Sequence, residues 1–133
     1  MNQILVVEDE PDMGATYERL LRRAGHRVVR AASRAEGMRL LESVRPWLVI
    51  SDLRLRDGDG LDIIRAAQQF DLPPAVIAIT AFSSRGTRQA ALDAGASAFL
   101  AKPFVIAEFS SLVEDLMSRR SDVPESGDDR VLG

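Results

Sequence analysis

Three carboxylates, one hydroxyl and one ammonium are the groups in this sequence whose types suit a common chemistry. The carboxylates are Glu8, Asp9 and Asp52, the hydroxyl is Thr80 and the ammonium is Lys102. Acids gathered in one place repel one another unless a hard cation sits among them, and Mg2+ takes oxygen ligands at about 2.0–2.1 Å in near-octahedral geometry. An aspartate beside such a cation is a nucleophile toward a phosphoryl group, giving an acyl phosphate. The transfer then demands in-line positioning and neutralisation of the oxygens on the moving group, which an ammonium and a hydroxyl supply. The lysine also stands out by composition: of 17 Lys and Arg residues it is the only lysine. An arginine-biased composition would leave a lone lysine by chance. The other reading is that position 102 needs a compact point charge rather than a planar fork, and its neighbourhood decides between them.

These groups lie far apart in sequence, so the elements between them must bring them together. Residues 3–7, QILVV, read as a short apolar strand that ends in the acids Glu8, Asp9 and Glu10. Pro11 and Asp12 open a helix to about Ala24, with Tyr17, Leu20 and Leu21 on its apolar stripe and Gly25 as its stop. Residues 27–31 read as a second strand, and Ser33 caps a helix over 34–44 that turns Met38, Leu40 and Leu41 inward. Residues 47–51 are a third, buried strand that delivers Asp52, after which LRLRDGDG breaks into a glycine-punctuated acidic turn. Asp57, Asp59 and Asp62 read there as turn and helix-start acids. Leu61, Ile63, Ile64 and Ala67 recur at helical spacing over 61–69, and AVIAIT at 75–80 is a fourth strand ending at Thr80. A helix over 84–94 stops at Gly95, and SAFLA at 97–101 is a fifth strand ending at Lys102. The last helix, over about 105–118, carries Ile106, Phe109, Leu112, Val113 and Leu116 near three- and four-residue spacing. His26, just after a helix stop, is expected to be exposed and without a role.

Five short apolar strands alternating with five helices specify an α/β domain: a doubly wound parallel sheet with helices on both faces, of flavodoxin-like order 2-1-3-4-5. In a parallel sheet the carboxyl ends of all strands share one edge. Asp9, Asp52, Thr80 and Lys102 each follow or end a strand, so the alternation alone gathers them there, beside the crevice where the winding reverses. Residues 1–119 form the domain, and 120–133 read as a disordered tail or a linker, because RRSDVPESGDDRVLG has no apolar periodicity.

Composition narrows the function classes. At 133 residues the chain is one domain's worth, and 46% hydrophobic with 28% charged residues is a globular balance. No apolar run approaches the roughly 18 residues that span a bilayer, and MNQILVVEDE has no basic region of a signal peptide. The absence of cysteine suits the cytoplasm. A net charge of −3 argues against direct nucleic-acid binding by this segment.

The acidic group VVEDE, the SDLRLRDGDG stretch, the ITA triplet and the GASAFLAKP run occur in the order and spacing of one family. Over about residues 3–118 the chain resembles a response-regulator receiver domain of bacterial two-component signalling. That resemblance implies that Asp52 is the phosphoacceptor and that Glu8, Asp9, Asp52 and the Arg54 backbone carbonyl organise Mg2+. It implies that Thr80 and Lys102 hold the phosphoryl oxygens and that the Lys102–Pro103 bond is cis. The implied donor is a histidine kinase or phosphotransfer protein. The implied response is a shift of Thr80 and of the strand-five aromatic, Phe99, that remodels the face of strand four, helix four, strand five and helix five toward a downstream protein or a second copy. Phe99 reads equally well as an ordinary core aromatic.

Two features depart from the family pattern. Many relatives have proline four positions after the phosphoacceptor, where this chain has Arg56 followed by Asp57 and Gly58, so a more mobile or differently set loop is expected. Arg54 and Phe82 each lie two positions beyond a site residue, where their bulk would slow attack by water. Rival readings are an Mg2+-dependent phosphohydrolase of the aspartyl-phosphate type, a flavin binder on the same winding, and a receiver-like module that works without phosphorylation. The hydrolase would need a second acid where Arg54 stands, and the flavin binder would need a glycine- and hydroxyl-rich loop where EDEPD would repel an anion.

Overall fold

The computed structural model describes residues 3–121. The elements in order are β1 (Gln3–Val7), α1 (Pro11–Arg23), β2 (Arg27–Ala31), α2 (Arg34–Val44), β3 (Leu48–Asp52), β4 (Arg54–Leu55), β5 (Gly58–Asp59), α3 (Leu61–Ala67), β6 (Ala75–Thr80), α4 (Arg85–Ala94), β7 (Ala98–Ala101) and α5 (Ile106–Ser121). Five strands pair in parallel in the order β2-β1-β3-β6-β7. This is the doubly wound order expected, since β6 and β7 are the fourth and fifth strands of the sheet. The short β4 and β5 form a separate antiparallel ribbon that the strand pattern did not reveal, because two-residue strands carry no alternation to read.

Alternation along the strands sends side chains to opposite faces and builds two cores. Ile4, Val6, Leu48, Ile50, Ile77 and Ile79 pack under α1 and α5 with Tyr17, Leu21, Phe109 and Val113. Leu5, Val7, Val49, Val76 and Ala78 pack under α2, α3 and α4 with Leu41, Ile63, Ile64 and Ala91. β3 is buried along its whole length, as a strand covered on both faces must be. Helix starts follow local chemistry: Ser33 Oγ accepts the Glu36 N–H at 3.1 Å and Ser84 Oγ accepts the Thr87 N–H at 3.0 Å. Gly95, at φ 119°, ends α4 in the left-handed region that a side chain would strain.

Three expectations change. α5 runs to Ser121, past Ser118 where the apolar spacing stops, and its end is held by the Asp115–Arg119 pair at 2.9 Å and by Arg120, which donates to the Pro73 carbonyl at 3.3 Å and lies over Trp47. Of the tail expected over 120–133, Arg120 and Ser121 instead belong to α5, and 122–133 lie outside the described residues. Ile106, placed on the buried stripe by its spacing, is 56% exposed; Phe104, just before the helix, instead joins Tyr17 and Phe109 in a stack with centroids 5.4–6.1 Å apart. His26 is largely covered, its side chain 13% exposed, and its Nε2 lies 2.7 Å from Glu114 Oε2, tying the α1–β2 junction to α5. The Tyr17 hydroxyl is buried without a hydrogen-bond partner, and burial pushes the phenol's pKa up to about 12, so it stays neutral inside the stack.

Phe109 is fully buried at the centre of that stack. Phe109→Ala is expected to cost about 3–5 kcal/mol through lost burial and the cavity left behind, read as a lower midpoint in urea unfolding with an unchanged m-value.

Candidate functional site

The carboxyl edge of the sheet gathers the expected groups. β1 delivers Glu8 and Asp9, β3 delivers Asp52, β6 delivers Thr80 and β7 delivers Lys102. Glu8, Asp52 and Thr80 are the polar or charged residues, with Ser51, that the described fold buries. The Lys102 ammonium bridges the two acids, 2.7 Å from Asp52 Oδ2 and 3.1 Å from Glu8 Oε1. The other oxygen of each acid is held by backbone: Asp52 Oδ1 accepts the Arg54 N–H at 2.8 Å, and Glu8 Oε2 accepts the Glu10 N–H at 3.2 Å. Each carboxylate is thereby fixed in orientation.

Electrostatics follow from this packing. Burial and then the Asp52 charge push the Glu8 carboxyl above its ordinary value, and Lys102 opposes them only in part. Burial alone would lower Lys102, but hydrogen bonds and charge from Asp52 and Glu8 outweigh it and raise its pKa to about 12. The signs are opposite for stability. Lys102 supports the fold fully below pH 10.5 and loses that support as pH rises through about 12. Glu8 binds its proton more tightly folded than unfolded, so it weakens the fold above pH 4.5 and the cost fades as pH falls.

Asp9 is tied to the loop after Asp52. Its Oδ2 accepts the Arg56 N–H at 2.6 Å, a bond that a proline at 56 would have no N–H to make. Among the described residues, no group of three or more His, Cys, Asp or Glu side chains is placed to hold a metal ion. Lys102 bridges Glu8 and Asp52, and Asp9 gives one of its two oxygens to the Arg56 N–H. The donor set itself suits a hard cation. Its side chains are all carboxylates, and one ammonium leaves two negative charges of Glu8, Asp9 and Asp52 uncompensated.

Thr80 is fully buried, and its Oγ accepts the Phe82 N–H at 3.1 Å. In the β6–β7 register Thr80 pairs with Ala101 and Ala78 with Phe99, so Thr80 and Phe99 share a face one pleat repeat apart. Phe99 is half-buried against the α2–α4 core. The Lys102–Pro103 peptide bond is cis. Arg54 brings its backbone N–H to Asp52 and sends its guanidinium over the Phe82 ring, Cζ 4.2 Å from the centroid. This pair lines a cavity of about 500 Å3 with Leu53, Leu55, Thr80 and Thr87. Sequence reasoning missed the work of Asp57: instead of a local turn acid, it caps α2 across the chain, accepting the Arg34 and Ala35 N–H groups at 2.7 and 3.0 Å. Those bonds lower its pKa. A spacing rule cannot find a cap donated from 22 residues away.

Comparison with known proteins agrees with this architecture. Residues 4–114 match the response regulator receiver domain family. The chain belongs to that family. It is 35% identical over 129 residues to the transcriptional regulatory protein PrrA of Mycobacterium tuberculosis, covering 97% of this chain and 55% of that protein. It is 37% identical over 121 residues to the KDP operon transcriptional regulatory protein KdpE of Escherichia coli, covering 91% of this chain and 53% of that protein. The receiver thus spans about half the length of the curated relatives it matches. Among solved structures, the non-phosphorylated HemR receiver domain of Leptospira biflexa superposes with TM-score 0.81 at 30% identity, over 89% of this chain and 95% of that one. A response regulator receiver domain from Clostridium thermocellum gives TM-score 0.83 at 27% identity, over 91% and 98%. Among the described residues of this receiver, no helix is long and apolar enough to cross a membrane.

Removing the ammonium leaves two buried like charges facing each other. Lys102→Met is expected to lose about 3 kcal/mol of unfolding free energy at pH 7, on the scale of breaking a buried ion pair. Chemical denaturation in chelator measures it; the loss should shrink as pH falls toward 4.5, where Glu8 takes up a proton, and a further Asp52→Asn change should restore part of it.

Proposed function

We propose that this receiver accepts a phosphoryl group on Asp52 from a sensor histidine kinase or phosphotransfer protein in the cytoplasm, and relays the change to a downstream protein or a second copy of itself. The observation that carries this reading is the setting of Asp52: a buried carboxylate with one oxygen on the Arg54 N–H at 2.8 Å and the other on Lys102 at 2.7 Å, at the open end of a parallel sheet. An Asp52 oxygen forms the new bond to phosphorus as the bond from phosphorus to the donor nitrogen breaks. Lys102 neutralises charge on the arriving oxygens, and the Thr80 hydroxyl donates to one of them. Mg2+ fits the oxygen donors of the site. Glu8, Asp9, Asp52 and the Arg54 carbonyl would hold it, and when bound it supplies a second positive charge against the phosphoryl oxygens.

The response runs through the shared face of Thr80 and Phe99. A hydroxyl drawn toward new charge at Asp52 opens space beside β6 for Phe99, which changes the surface of β6, α4, β7 and α5. Shifting such an element from 1:99 to 99:1 takes about 5.5 kcal/mol of differential stabilisation. That PrrA and KdpE are named transcriptional regulatory proteins supports an output toward gene expression through a partner or a further segment. A hydrolase reading is disfavoured, because the position two after Asp52 holds a guanidinium stacked on Phe82 where a second acid would be needed.

Incubation with a small phosphodonor and Mg2+ is expected to add about 80 Da, one phosphoryl group, by intact-mass measurement; no adduct, or one that persists in Asp52→Asn, overturns the reading. Arg54, whose N–H is on Asp52, stacks on Phe82 beside Thr80, where the pair would obstruct water on its way to a phosphoryl group, and an exposed cation–π contact is worth about 0.5–1 kcal/mol. Arg54→Ala with Phe82→Ala is therefore expected to shorten the phosphoryl half-life about two- to fivefold. An equal or longer half-life in the double variant counts against shielding.

A further inference from the structure

Backbone N–H groups orient all three acids of the site, and two of them, those on Asp52 and Asp9, come from the loop just after Asp52. The Arg54 N–H holds Asp52 Oδ1 at 2.8 Å and the Arg56 N–H holds Asp9 Oδ2 at 2.6 Å. The orientation of both acids therefore depends on where this loop lies. The base of the loop is held, with the Leu53 N–H on the Ile79 carbonyl and the Gly60 N–H on the Leu53 carbonyl, but its tip has little support within the loop. Its ribbon pairs only Arg54 with Asp59 and Leu55 with Gly58, far below the size at which a hairpin is stable alone.

The support comes from α2. Ser33 satisfies the Glu36 N–H, and the Gly37 N–H bonds back to the Ser33 carbonyl, which leaves the Arg34 and Ala35 N–H groups of the first turn. Asp57, at the tip of the β4–β5 ribbon, takes both, one oxygen to each. Its negative charge also sits favourably at a helix N-terminus. The next residue, Gly58, lies against the Arg34 stem at φ 153°, where a side-chain carbon would meet Arg34 Cδ at 2.5 Å. Arg34 in turn reaches Asp62 at 2.9 Å, joining the far end of the loop to the same point.

We propose that Asp57 is a positioning residue for the phosphorylation site: by clamping the loop to the first turn of α2, it sets the Arg54 and Arg56 amides against Asp52 and Asp9. The proposal rests on Asp52 as the phosphoryl acceptor. Asp57 does not touch the reacting atoms. It acts through the backbone of residues 54–56, so its loss leaves the fold intact and loosens the two acids.

The test compares the full chain with Asp57→Ala and with Val113→Ala, which destabilises the opposite face of the sheet without touching the loop. Amide hydrogen exchange on unphosphorylated protein is expected to quicken at Arg54 and Arg56 in Asp57→Ala and to stay slow there in Val113→Ala. Phosphorylation by a small phosphodonor with Mg2+ should slow about tenfold in Asp57→Ala alone, on the scale by which small misplacements of reacting groups cost rate. Asp57→Asn, which keeps an acceptor oxygen, should fall between. Unchanged exchange at Arg54 and Arg56 in Asp57→Ala overturns the proposal, as does quickened exchange with an unchanged rate, or an equal loss of rate in Val113→Ala. Failure of the unmutated chain to take up phosphoryl would overturn the reading of Asp52 itself, and the exchange arm would still decide whether Asp57 holds the loop.

Discussion

The whole carboxyl edge depends on one ammonium placed between two buried carboxylates. Glu8 and Asp52 arrive on adjacent strands, β1 and β3, and parallel pairing fixes how closely they approach. Without a cation their mutual repulsion and their desolvation would both oppose the fold. Lys102 reaches them from β7, two strands beyond β3 in the sheet order. The compensation is incomplete, as the raised pKa of Glu8 records. An edge left short of positive charge, with its acids already oriented, favours whatever brings more cation to it. The stability lost there is the stability that binding can regain.

Around that centre the structure divides its labour between sheet and loop. The sheet supplies the groups and its buried strands make their positions stiff. The segment 53–60 supplies the fine orientation through single N–H groups. Gly60 shows how tight this segment is: it is buried against the Asp52 carbonyl and the Leu53 backbone, where even a β-carbon would collide, and its N–H returns to the Leu53 carbonyl at 3.0 Å. A loop that looks permissive in sequence, with glycines at 58 and 60, is thus closely determined in space.

That contrast explains what could be read from the residues alone. Strand alternation, helix stripes and the cap at Ser33 are local signals, and they carried the fold class, the strand order and the convergence of Glu8, Asp9, Asp52, Thr80 and Lys102 on one edge. The pairings that set the site are not local. Asp57 on α2, Arg56 on Asp9 and the Arg54–Phe82 stack each join residues at least 22 apart. No periodicity encodes them. The missing proline at 56 raised the expectation of a more mobile or differently set loop, and the N–H that proline would lack bonds Asp9 at 2.6 Å. Ile106 misled for a related reason: helical spacing marks a stripe but not where along the helix the core ends.

The lone lysine can now be judged on its surroundings. An ammonium has three donors, and Lys102 directs two of them, to Asp52 and Glu8. The third remains for an oxygen arriving from the open side, where 17% of the side chain is exposed. A guanidinium would offer a fork that matches a carboxylate on two edges at once. Such a fork would hold Asp52 by both oxygens, one of which the proposed phosphoryl transfer needs for its new bond. In the proposed transfer, a point charge on a flexible stem could follow the reacting oxygens as charge moves from the carboxylate to the phosphoryl group, at little cost in geometry. In a chain that uses arginine at every other basic position, the proposed transfer would give lysine at 102 a reason beyond chance.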